Sequence, residues 1–452
     1  MNLIALLKQK WRGTLEFKDQ YGWKKTFVVI KRIIFKQPFD DVVSGVQPMA
    51  YSTRKKKKKI KTVSEMLDAR FRNQQAISSV HIDENVKRLN LVTDSIESNS
   101  LLGGVATALI VATEFARKND MILRIITRNA PTNPMNYKNI IELSGLDPYD
   151  KLEFYSDYDR EDNGRNKYAL DVSPTDVFFA TSWWSAEAIT KTTIRKRFFY
   201  IIQEVETFFY PHGEEHYMCS KIMEKKNVDF IINSQYLYEY FDNNKKNIVE
   251  NGVFFDPAFD KNMYHTGDFS SKDKYKLFFY ARPNNPRNMF YYGLHLIDYA
   301  IKTGVLDTNE WEICCAGQDI PRIVFSNGYE AVDMGLMKWE KYCKFLTTVD
   351  LAVSLMYTPH PSYPPYDVAC SGGVVLTNQC LNKTSFNECN NILMADLDEE
   401  KFANKMREAI ELAKNMELRK SNYEKSTIPR NWVETLVPVM SYMQERVKDV
   451  QY

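Results

Sequence analysis

The stretch from residue 350 to residue 378 carries polar side chains in a setting suited to binding an anion. Two apolar runs, Asp350–Met356 and Val374–Thr377, have the composition of buried strands, and a Pro-rich loop and a short potential helix lie between them. Where a strand leads through a loop to a helix N-terminus, backbone N–H groups can hold an anion. The loop and the helix supply four candidate ligand-binding residues: His360, Ser362, Tyr363 and Asp367.

A second group of candidates follows the apolar run Lys276–Tyr280. Arg282 and Arg287 stand in a loop rich in Pro and Asn, and Asn288 comes next. Two cations fixed beside the carboxyl end of a parallel strand can neutralise a diphosphate, which Arg does through a bidentate fork. The same cations would stabilise the charge that develops as a diphosphate leaves. We therefore predict that both arginines bind phosphate and act in catalysis; the alternative is two surface arginines.

A Gly pair and a group of acids point to the other wall of a binding cleft. Gly103 and Gly104 follow a strand and a polar loop and precede an apolar helix, so the backbone can approach an anion closely there. Glu204, Glu206 and His212 follow the apolar run Phe198–Ile202, which places them near the edge of a sheet where ligands bind. We expect these three to bind a hydroxyl group of a second substrate, the acceptor. The alternative is that they are surface carboxylates and a loop His.

Composition indicates a globular protein that works in a reducing compartment. The chain has 452 residues, 44% of them hydrophobic and 13% aromatic, enough for two or three domains. Its seven Cys are scattered without C-x-x-C spacing, which argues against a disulfide framework and a structural zinc site. The N-terminus lacks signal-peptide features and no apolar run approaches a membrane span, so we expect a cytoplasmic protein.

The charge is divided unevenly along the chain. Residues 1–80 carry 18 Lys and Arg against 6 Asp and Glu, a balance of +12, whereas the remainder carries −10. Basic residues alternate with Trp, Phe and Leu, and a polybasic run occupies Arg54–Lys61, as is typical of segments that bind an anionic membrane surface. We predict peripheral attachment to the inner face of the cell membrane and no nucleic-acid partner. A solvated linker with packed helices is the alternative.

From about residue 86 short apolar strands alternate with helical stretches, which predicts parallel sheets with crossover helices. Two such series, joined near residues 255–275, indicate an α/β protein with two facing Rossmann-like domains. We divide the chain into a basic, mainly helical extension at 1–80, domains at 81–258 and 259–430, and a final helix at 431–452. The predicted strands are Leu89–Thr93, Ile122–Thr127, Val177–Ala180, Phe198–Ile202, Phe230–Asn233, Lys276–Tyr280, Trp311–Ala316, Leu351–Leu355 and Val374–Thr377.

The segment at 350–378 resembles the donor-site signature of retaining GT-B glycosyltransferases, which has two acids, small residues and a Gly before its last strand. Asp367 takes the place of the second acid, Val368 and Cys370 stand at the two small positions, and Gly372 matches the Gly. The first acid is replaced by Pro359. The sequence of the loop, His-Pro-Ser-Tyr-Pro-Pro, is most similar to that of rhamnosyltransferases that build bacterial rhamnans and S-layer glycans from dTDP-L-rhamnose.

The resemblance implies roles for the candidates named above. Arg282 matches the Arg of the family's Gly-Arg-Leu-x-x-x-Lys-Gly motif and Arg287 replaces its Lys. The residues that would bind a nucleotide-sugar donor are Gly103, Gly104, Arg282, Arg287, Asn288, Ser362, Tyr363 and Asp367, and His360 would act in catalysis with the two arginines. His360 would contact the sugar or cap the following turn, and Asp367 would bind the ribose. The final helix would cross back to the N-terminal domain.

The same resemblance implies a metal-independent transfer of L-rhamnose from dTDP-L-rhamnose, with retention, to a glycan or lipid-linked glycan. Asp157 and Asp159 have the spacing of the cation motif of GT-A enzymes, but no strand context surrounds them, so we expect no metal and no cofactor. Two alternatives stay open. One is a sugar-nucleotide epimerase of the same fold, and the other is an inactive GT-B scaffold, which the missing first acid would favour.

Overall fold

The computed structural model describes residues 62–97, 103–157, 169–195, 197–267, 269–270 and 272–448. These residues form two α/β domains, each built on its own parallel sheet. The polybasic run and the aromatic residues that precede it, on which the membrane prediction depends, lie outside the described residues.

The N-terminal domain is built on a sheet of parallel strands in the order β4-β3-β2-β6-β7-β8-β9, with a separate parallel pair, β1 and β5. The described strands are β1 Ser79–His81, β2 Arg88–Thr93, β3 Ile122–Thr127, β4 Leu152–Ser156, β5 Leu170–Val172, β6 Val177–Ala180, β7 Phe198–Ile202, β8 Val228–Asn233 and β9 Gly252–Phe255. The described helices are α1 Val63–Arg70, α2 Gly104–Lys118, α3 Pro134–Leu143, α4 Trp183–Thr190, α5 Glu214–Met223, α6 Gln235–Asn244 and α7 Lys246–Glu250.

The C-terminal domain has the strand order β12-β11-β10-β13-β14-β15, again all parallel. Its strands are β10 Tyr275–Tyr280, β11 Trp311–Ala316, β12 Val332–Gly335, β13 Leu351–Val353, β14 Val374–Asn378 and β15 Ile392–Ala395. Its helices are α8 Phe290–Lys302, α9 Trp339–Leu346, α10 Pro364–Cys370, α11 Glu399–Lys414 and α12 Met416–Glu424. Helices α13 Trp432–Thr435 and α14 Val437–Lys448 follow.

Both sheets are covered by helices on both faces, because neighbouring residues of the central strands enter different cores. In β2, Leu91 belongs to one core of the N-terminal domain and Val92 to the other. In β10, Phe279 and Phe278 divide in the same way between the two cores of the C-terminal domain. Strands buried on both faces read as continuous apolar runs, which is why the sequence predicts them well.

The last two helices pack on the N-terminal domain although they follow the C-terminal one. Trp432, Leu436 and Met440 are buried in the core that also contains strand β2 and helix α2. The hydroxyl of Tyr442 donates to Asp229 Oδ1 of strand β8 at 3.2 Å. The chain therefore connects its two domains twice, once near residue 258 and once near residue 430.

The N-terminal domain begins earlier than the expected boundary at residue 81. Ile77 is only 2% exposed and lies in the same core as Val92, and its N–H donates to Thr192 Oγ1 at 2.9 Å. Strand β1 pairs with β5, and Arg128 Nη2 donates to the Gln75 carbonyl at 2.9 Å. Residues 72–81 are thus part of the folded domain, while the described helix α1 before them is exposed.

Every strand that the sequence predicts is present, and the two-domain α/β fold is confirmed. The unpredicted strands include four at or near sheet edges, namely β4, β9, β12 and β15. Their residues are partly exposed, so their apolar runs are short or interrupted.

All seven cysteines are free and buried. Among the described residues, no helix combines the length and the apolar character needed to cross a bilayer.

Candidate functional site

The site is a cleft in which loops at the carboxyl ends of both sheets meet. The loop after β13, residues 357–363, reaches across from the C-terminal domain to the ends of β7 and β8 and to the start of α2. Tyr363 makes the most direct contacts, since its hydroxyl lies 2.6 Å from Thr107 Oγ1 and accepts from Asn233 Nδ2 at 2.7 Å. Carboxyl ends of parallel strands are where open α/β sheets bind ligands.

The Gly pair forms the wall of the N-terminal domain opposite Tyr363. Gly103 caps helix α2 with a φ of +76°, a left-handed conformation that other residues rarely adopt. A Cβ at this position would lie 3.5 Å from the Tyr363 ring. The Gly104 carbonyl accepts from Gln203 Nε2 at 2.7 Å, so the end of strand β7 holds the helix start in place.

Arg287 and Glu204 form an ion pair across the cleft. Arg287 Nη1 donates to Glu204 Oε2 at 2.7 Å, and Thr358 Oγ1 donates to the same oxygen at 3.0 Å. Burial raises the pKa of the Glu204 carboxyl, an effect that the charge of Arg287 opposes. The Arg287 guanidinium also lies 4.1 Å from the ring centroid of Phe209. Arg287, which we predict to bind phosphate, and Glu204, which we predict to bind the acceptor, are therefore direct partners in this structure.

Arg282 lies at the end of β10 and is exposed. Burial raises the pKa of the Tyr280 hydroxyl, and the charge of Arg282 and a hydrogen bond from it oppose that rise. Burial and the charge of Arg282 both lower the pKa of Arg287. Within the described part of the chain no carboxylate pairs with Arg282. Asn288 is buried, and its Nδ2 donates to the Leu355 carbonyl at 3.1 Å. This bond ties the loop that bears the two arginines to the chain just before the loop at 357–363, which we call the donor loop.

His360 is buried in the loop and lies beside the interdomain ion pair. Its Nδ1 accepts from the Ser362 N–H at 3.0 Å, while its Nε2 has no hydrogen-bond partner among the described residues. Burial, together with the charges of Lys383 and Arg287, lowers the pKa of His360 to about 3. Ser362 has a φ of +67°, a strained conformation that turns the loop back towards its own His.

Asp367 is buried behind the loop against tyrosine hydroxyls. Tyr342 donates to Asp367 Oδ2 at 3.2 Å, and Tyr264 also bonds to the carboxyl. Burial raises the pKa of Asp367 to about 7 in spite of these bonds. The helix that bears it, α10, begins with Pro364 and Pro365, which have no N–H, so its first turn offers fewer anion ligands than a usual helix start.

The three predicted acceptor-binding residues occupy different environments. Glu204 faces the C-terminal domain, as described above. Glu206 is buried within the N-terminal domain, where it accepts from the Trp183 N–H at 2.9 Å and where burial raises its pKa to about 7. His212 is exposed, and the centroid of its ring lies 4.7 Å from that of His216 on α5, with the two rings tilted. The structure therefore brings Glu204 alone of the three into contact with the predicted donor residues.

Several residues of the cleft were not predicted from the sequence. Gln203 and Asn233 terminate strands β7 and β8 and hold the Gly pair and Tyr363. Lys383 is fully buried and donates to the Met356 and His360 carbonyls. A polar residue directly after a buried strand is a usable signal for Gln203 and Asn233, but a single Lys in a loop offers none.

The described residues contain no group of three or more His, Cys, Asp or Glu side chains placed to hold a metal ion. Asp157, one of the two acids with cation-motif spacing, directly follows strand β4, so the expectation that no strand context surrounds this pair was wrong. Asp157 pairs with Arg128 at 3.1 Å, and Asp159 lies outside the described residues.

Two family models match this chain, one described as WsaF, N-terminal domain, over residues 88–234 and one described as WsaF, C-terminal domain, over residues 275–407. Together they cover more than half of the 452 residues. The chain belongs to the WsaF family. The two matched ranges coincide with the two parallel sheets, so the cleft of this WsaF-family chain lies between its two matched domains.

The WsaF-family chain is 26% identical over 210 residues to the O-antigen biosynthesis protein RfbC of Myxococcus xanthus. The match covers 45% of this chain but only 15% of that much longer relative.

Solved GT-B glycosyltransferases share the fold of this WsaF-family chain. Sucrose-phosphate synthase from Thermosynechococcus elongatus has a TM-score of 0.54 at 11% identity, covering 80% of this chain and 99% of its own. TarM from S. aureus, in complex with fondaparinux, α-GlcNAc-glycerol and UDP, has a TM-score of 0.55 at 9% identity, covering 80% and 100%. At such low identity these likenesses show the GT-B fold alone.

Proposed function

We propose that this chain is a glycosyltransferase that transfers a sugar from a nucleoside diphosphate to a bacterial cell-surface glycan. The observation that carries the proposal is the cleft itself. Arg287, in the same loop as Arg282, pairs with Glu204 of the other domain. The neighbouring Gln203 holds Gly104, and Tyr363 of the loop at 357–363 lies against Gly103. A diphosphate placed there would meet two guanidinium groups and the start of a fifteen-residue helix.

In this proposal the protein stabilises a leaving diphosphate rather than supplying a nucleophile. The two arginines neutralise the charge that develops on the leaving group. Glu204 orients Arg287 from the N-terminal domain. Asp367 binds the ribose from behind the loop at 357–363. The acceptor hydroxyl attacks from the face that the diphosphate leaves, so the sugar keeps its anomeric configuration. This reaction needs no metal, because side-chain cations meet the phosphate charge.

We infer further that the donor is dTDP-L-rhamnose. The His-Pro-Ser-Tyr-Pro-Pro sequence of the loop, which resembles that of dTDP-rhamnose-dependent rhamnosyltransferases, supports this choice. A deoxyribose offers only its 3′-hydroxyl, which suits the single short acid at Asp367. The name of the Myxococcus relative supports a surface polysaccharide as the product. The acceptor is a glycan or lipid-linked glycan at the inner face of the membrane, to which the basic segment at 1–80 attaches.

The proposal is tested by incubating the full-length protein with labelled dTDP-L-rhamnose, UDP-glucose and GDP-mannose and a lipid-linked glycan acceptor, with and without EDTA. We expect sugar transfer from the dTDP donor and equal rates in EDTA. Transfer from another nucleotide sugar would overturn the rhamnose assignment, and loss of transfer in EDTA would overturn the metal-independent mechanism. Nucleotide binding without transfer, over a range of acceptors, would favour a scaffold role instead.

A further inference from the structure

Lys383 is a fully buried lysine that has no carboxylate partner among the described residues. Its Nζ donates to the Met356 carbonyl at 2.9 Å and to the His360 carbonyl at 3.4 Å. Lys is among the residues least often buried unless it is paired with an acid. Glu204 acts on Lys383 through its charge, but the hydrogen bonds of Glu204 go to Arg287, Thr358 and the Val205 N–H.

The backbone around Lys383 fixes the position of its ammonium group. Lys383 and Cys380 exchange backbone hydrogen bonds at 3.0 Å in both directions, which closes a tight turn after β14. The Met356 carbonyl also accepts from Asn378 Nδ2 at 3.1 Å, and the Met356 N–H donates to Asn378 Oδ1 at 2.7 Å. The Lys383 ammonium group therefore joins Met356, just after strand β13, to His360 in the middle of the loop at 357–363.

The hydrogen bonds of the donor loop determine the tautomer of His360. Its Nδ1 accepts a hydrogen bond from the Ser362 N–H, so Nδ1 carries no proton of its own. A neutral imidazole has its proton on one ring nitrogen, and here that nitrogen is Nε2. Nε2 is a buried donor that no described residue accepts, in a side chain that is 6% exposed. Buried polar atoms without a partner are rare, and this one lies at the proposed ligand site.

Charges from several elements act on the His360 ring. Burial has the largest effect in keeping it neutral, followed by the charge of Lys383 after β14 and of Arg287 before α8. Glu204 after β7 is paired with Arg287, which offsets its attraction for a proton. The Tyr363 ring lies 6.1 Å from the imidazole. Cys380 lies near Lys383, and burial raises the pKa of its thiol, so the thiol is neutral.

We propose that Lys383 is a positioning residue that, through its hydrogen bond to the His360 carbonyl, holds the loop in which the Ser362 N–H fixes the proton of the neutral His360 imidazole on Nε2, and that this Nε2–H donates to an oxygen of the sugar nucleotide. The inference rests on the proposed function for its ligand, but its statement about the tautomer does not. A neutral donor suits this place because the diphosphate and the sugar both offer oxygen acceptors, while Arg282 and Arg287 already supply the positive charge.

The tautomer is tested without ligand by NMR of the full-length protein carrying ¹⁵N-labelled His. Only six His are present, and the signals of His360 are identified by their loss in His360→Gln. We expect the wild-type signals to report a protonated Nε2 and an unprotonated Nδ1 that do not change between pH 5 and pH 7, below the pKa of about 8 to which burial lowers Lys383. A signal that titrates in this range, or a proton on Nδ1, would overturn the assignment.

The ligand is tested by adding dTDP or dTDP-L-rhamnose to the same sample. A change in the Nε2–H signal with dTDP assigns the acceptor oxygen to the diphosphate, and a change with the sugar nucleotide alone assigns it to the sugar. If both bind and neither changes the signal, the ligand half of the inference is wrong. If neither binds, the proposed function fails together with that half, while the tautomer result stands.

The role of Lys383 is tested by a double-mutant cycle with Lys383→Met and His360→Gln, measured as kcat and KM. Because Lys383 acts through His360, we expect each single variant to lower kcat/KM by about ten- to a hundredfold and the double variant to lose little more. Additive losses would show that Lys383 only supports the loop. Lys401→Met, which removes an exposed lysine paired with Asp396, is the control and should match the wild type. If Lys383→Met does not fold, the wild-type tautomer and its response to dTDP decide.

Discussion

Among single residues, the two arginines of the cleft differ in ways that their shared motif does not reveal. Arg287 is half-buried against Glu204 and Phe209, whereas Arg282 is exposed and has no carboxylate partner in the described part of the chain. Arg282 can therefore meet a phosphate without first giving up an ion pair. Arg287 is held in one position by Glu204 and Phe209, so we expect it to orient the diphosphate more than to strengthen its binding.

We expect Arg282→Ala to lower kcat/KM by about ten- to a hundredfold, because a charge-assisted hydrogen bond of about 1.5–3 kcal/mol to the diphosphate is lost. The affinity for dTDP, measured by calorimetry, should fall with it, while the melting temperature stays unchanged since the side chain is exposed. The control is Arg322→Ala, which removes an exposed Arg paired with Glu330. Unchanged turnover in Arg282→Ala would remove this residue from the site.

Asp367 predicts a specific dependence of stability on pH. Burial raises the pKa of Asp367 to about 7, whereas an unfolded Asp titrates near 3.9. The stabilising contribution of the protonated form is complete below about pH 4 and is lost as the pH rises through 7. Asp367→Asn cannot ionise, so we expect its melting temperature to exceed that of the wild type at pH 8 and to differ less at pH 5.

The same Asp367→Asn variant separates stability from binding. If the carboxylate accepts a ribose hydroxyl, dTDP should raise the melting temperature of the variant less than that of the wild type. Glu206 has a pKa raised in the same direction, so part of the pH dependence should remain. A variant whose stability follows pH as the wild type does would show that Asp367 is ionised in the folded protein.

Among the elements, the loop at 357–363 links the two domains through two hydroxyl groups, those of Thr358 and Tyr363. Tyr363 bonds to Thr107 in helix α2 and to Asn233 at the end of strand β8. A loop tied at its tip to the opposite domain limits how far the cleft opens. We therefore expect Tyr363 to hold the two domains together at the cleft.

Tyr363→Phe should weaken this link while keeping the aromatic ring against Gly103. Each hydrogen bond of this kind contributes about 1 kcal/mol, so we expect a modest fall in melting temperature and a several-fold rise in KM for the donor. Tyr292→Phe is a matched control, since the Tyr292 hydroxyl donates to Leu397 within the C-terminal domain. Equal effects of the two changes on KM would contradict a role in closure.

Central elements could be predicted from the sequence, and contacts between elements could not. Strands β3, β6, β7 and β11 have the bounds predicted for them, because strands buried on both faces are mainly apolar. The exposed edge strand β12 lacks that signal. The pair of Arg287 with Glu204 joins two motifs 83 residues apart, and only the packing of the domains brings them together. Lys383 was missed because Lys usually lies on the surface.

In the whole molecule, the charge division and the domain boundary fall at different places. The described domain already includes residues 72–81, so a truncation that begins at His81 removes the buried Ile77 and strand β1. Burial of an Ile side chain is worth about 1.5–3 kcal/mol, and we expect that truncation to melt at a lower temperature. A protein beginning at Thr62 keeps these residues and should melt like the full-length protein.

The protein that begins at Thr62 is also the control for membrane attachment. We expect the full-length protein to sediment with vesicles containing anionic lipid, and less so at high salt, because the +12 balance of residues 1–80 is then screened. The shortened protein, which lacks the polybasic run, should remain in the supernatant while still binding dTDP. Equal sedimentation of the two would show that the basic segment is not the anchor.

Hydrogen–deuterium exchange of the full-length protein with and without saturating dTDP tests most directly that the cleft between the domains binds a nucleotide. We predict slower exchange in three segments that are far apart in sequence, namely 103–107, 282–288 and 357–370. The exposed helix α1 should exchange at the same rate in both states and serves as the internal reference. Binding of dTDP that slows exchange in none of these segments would contradict the account.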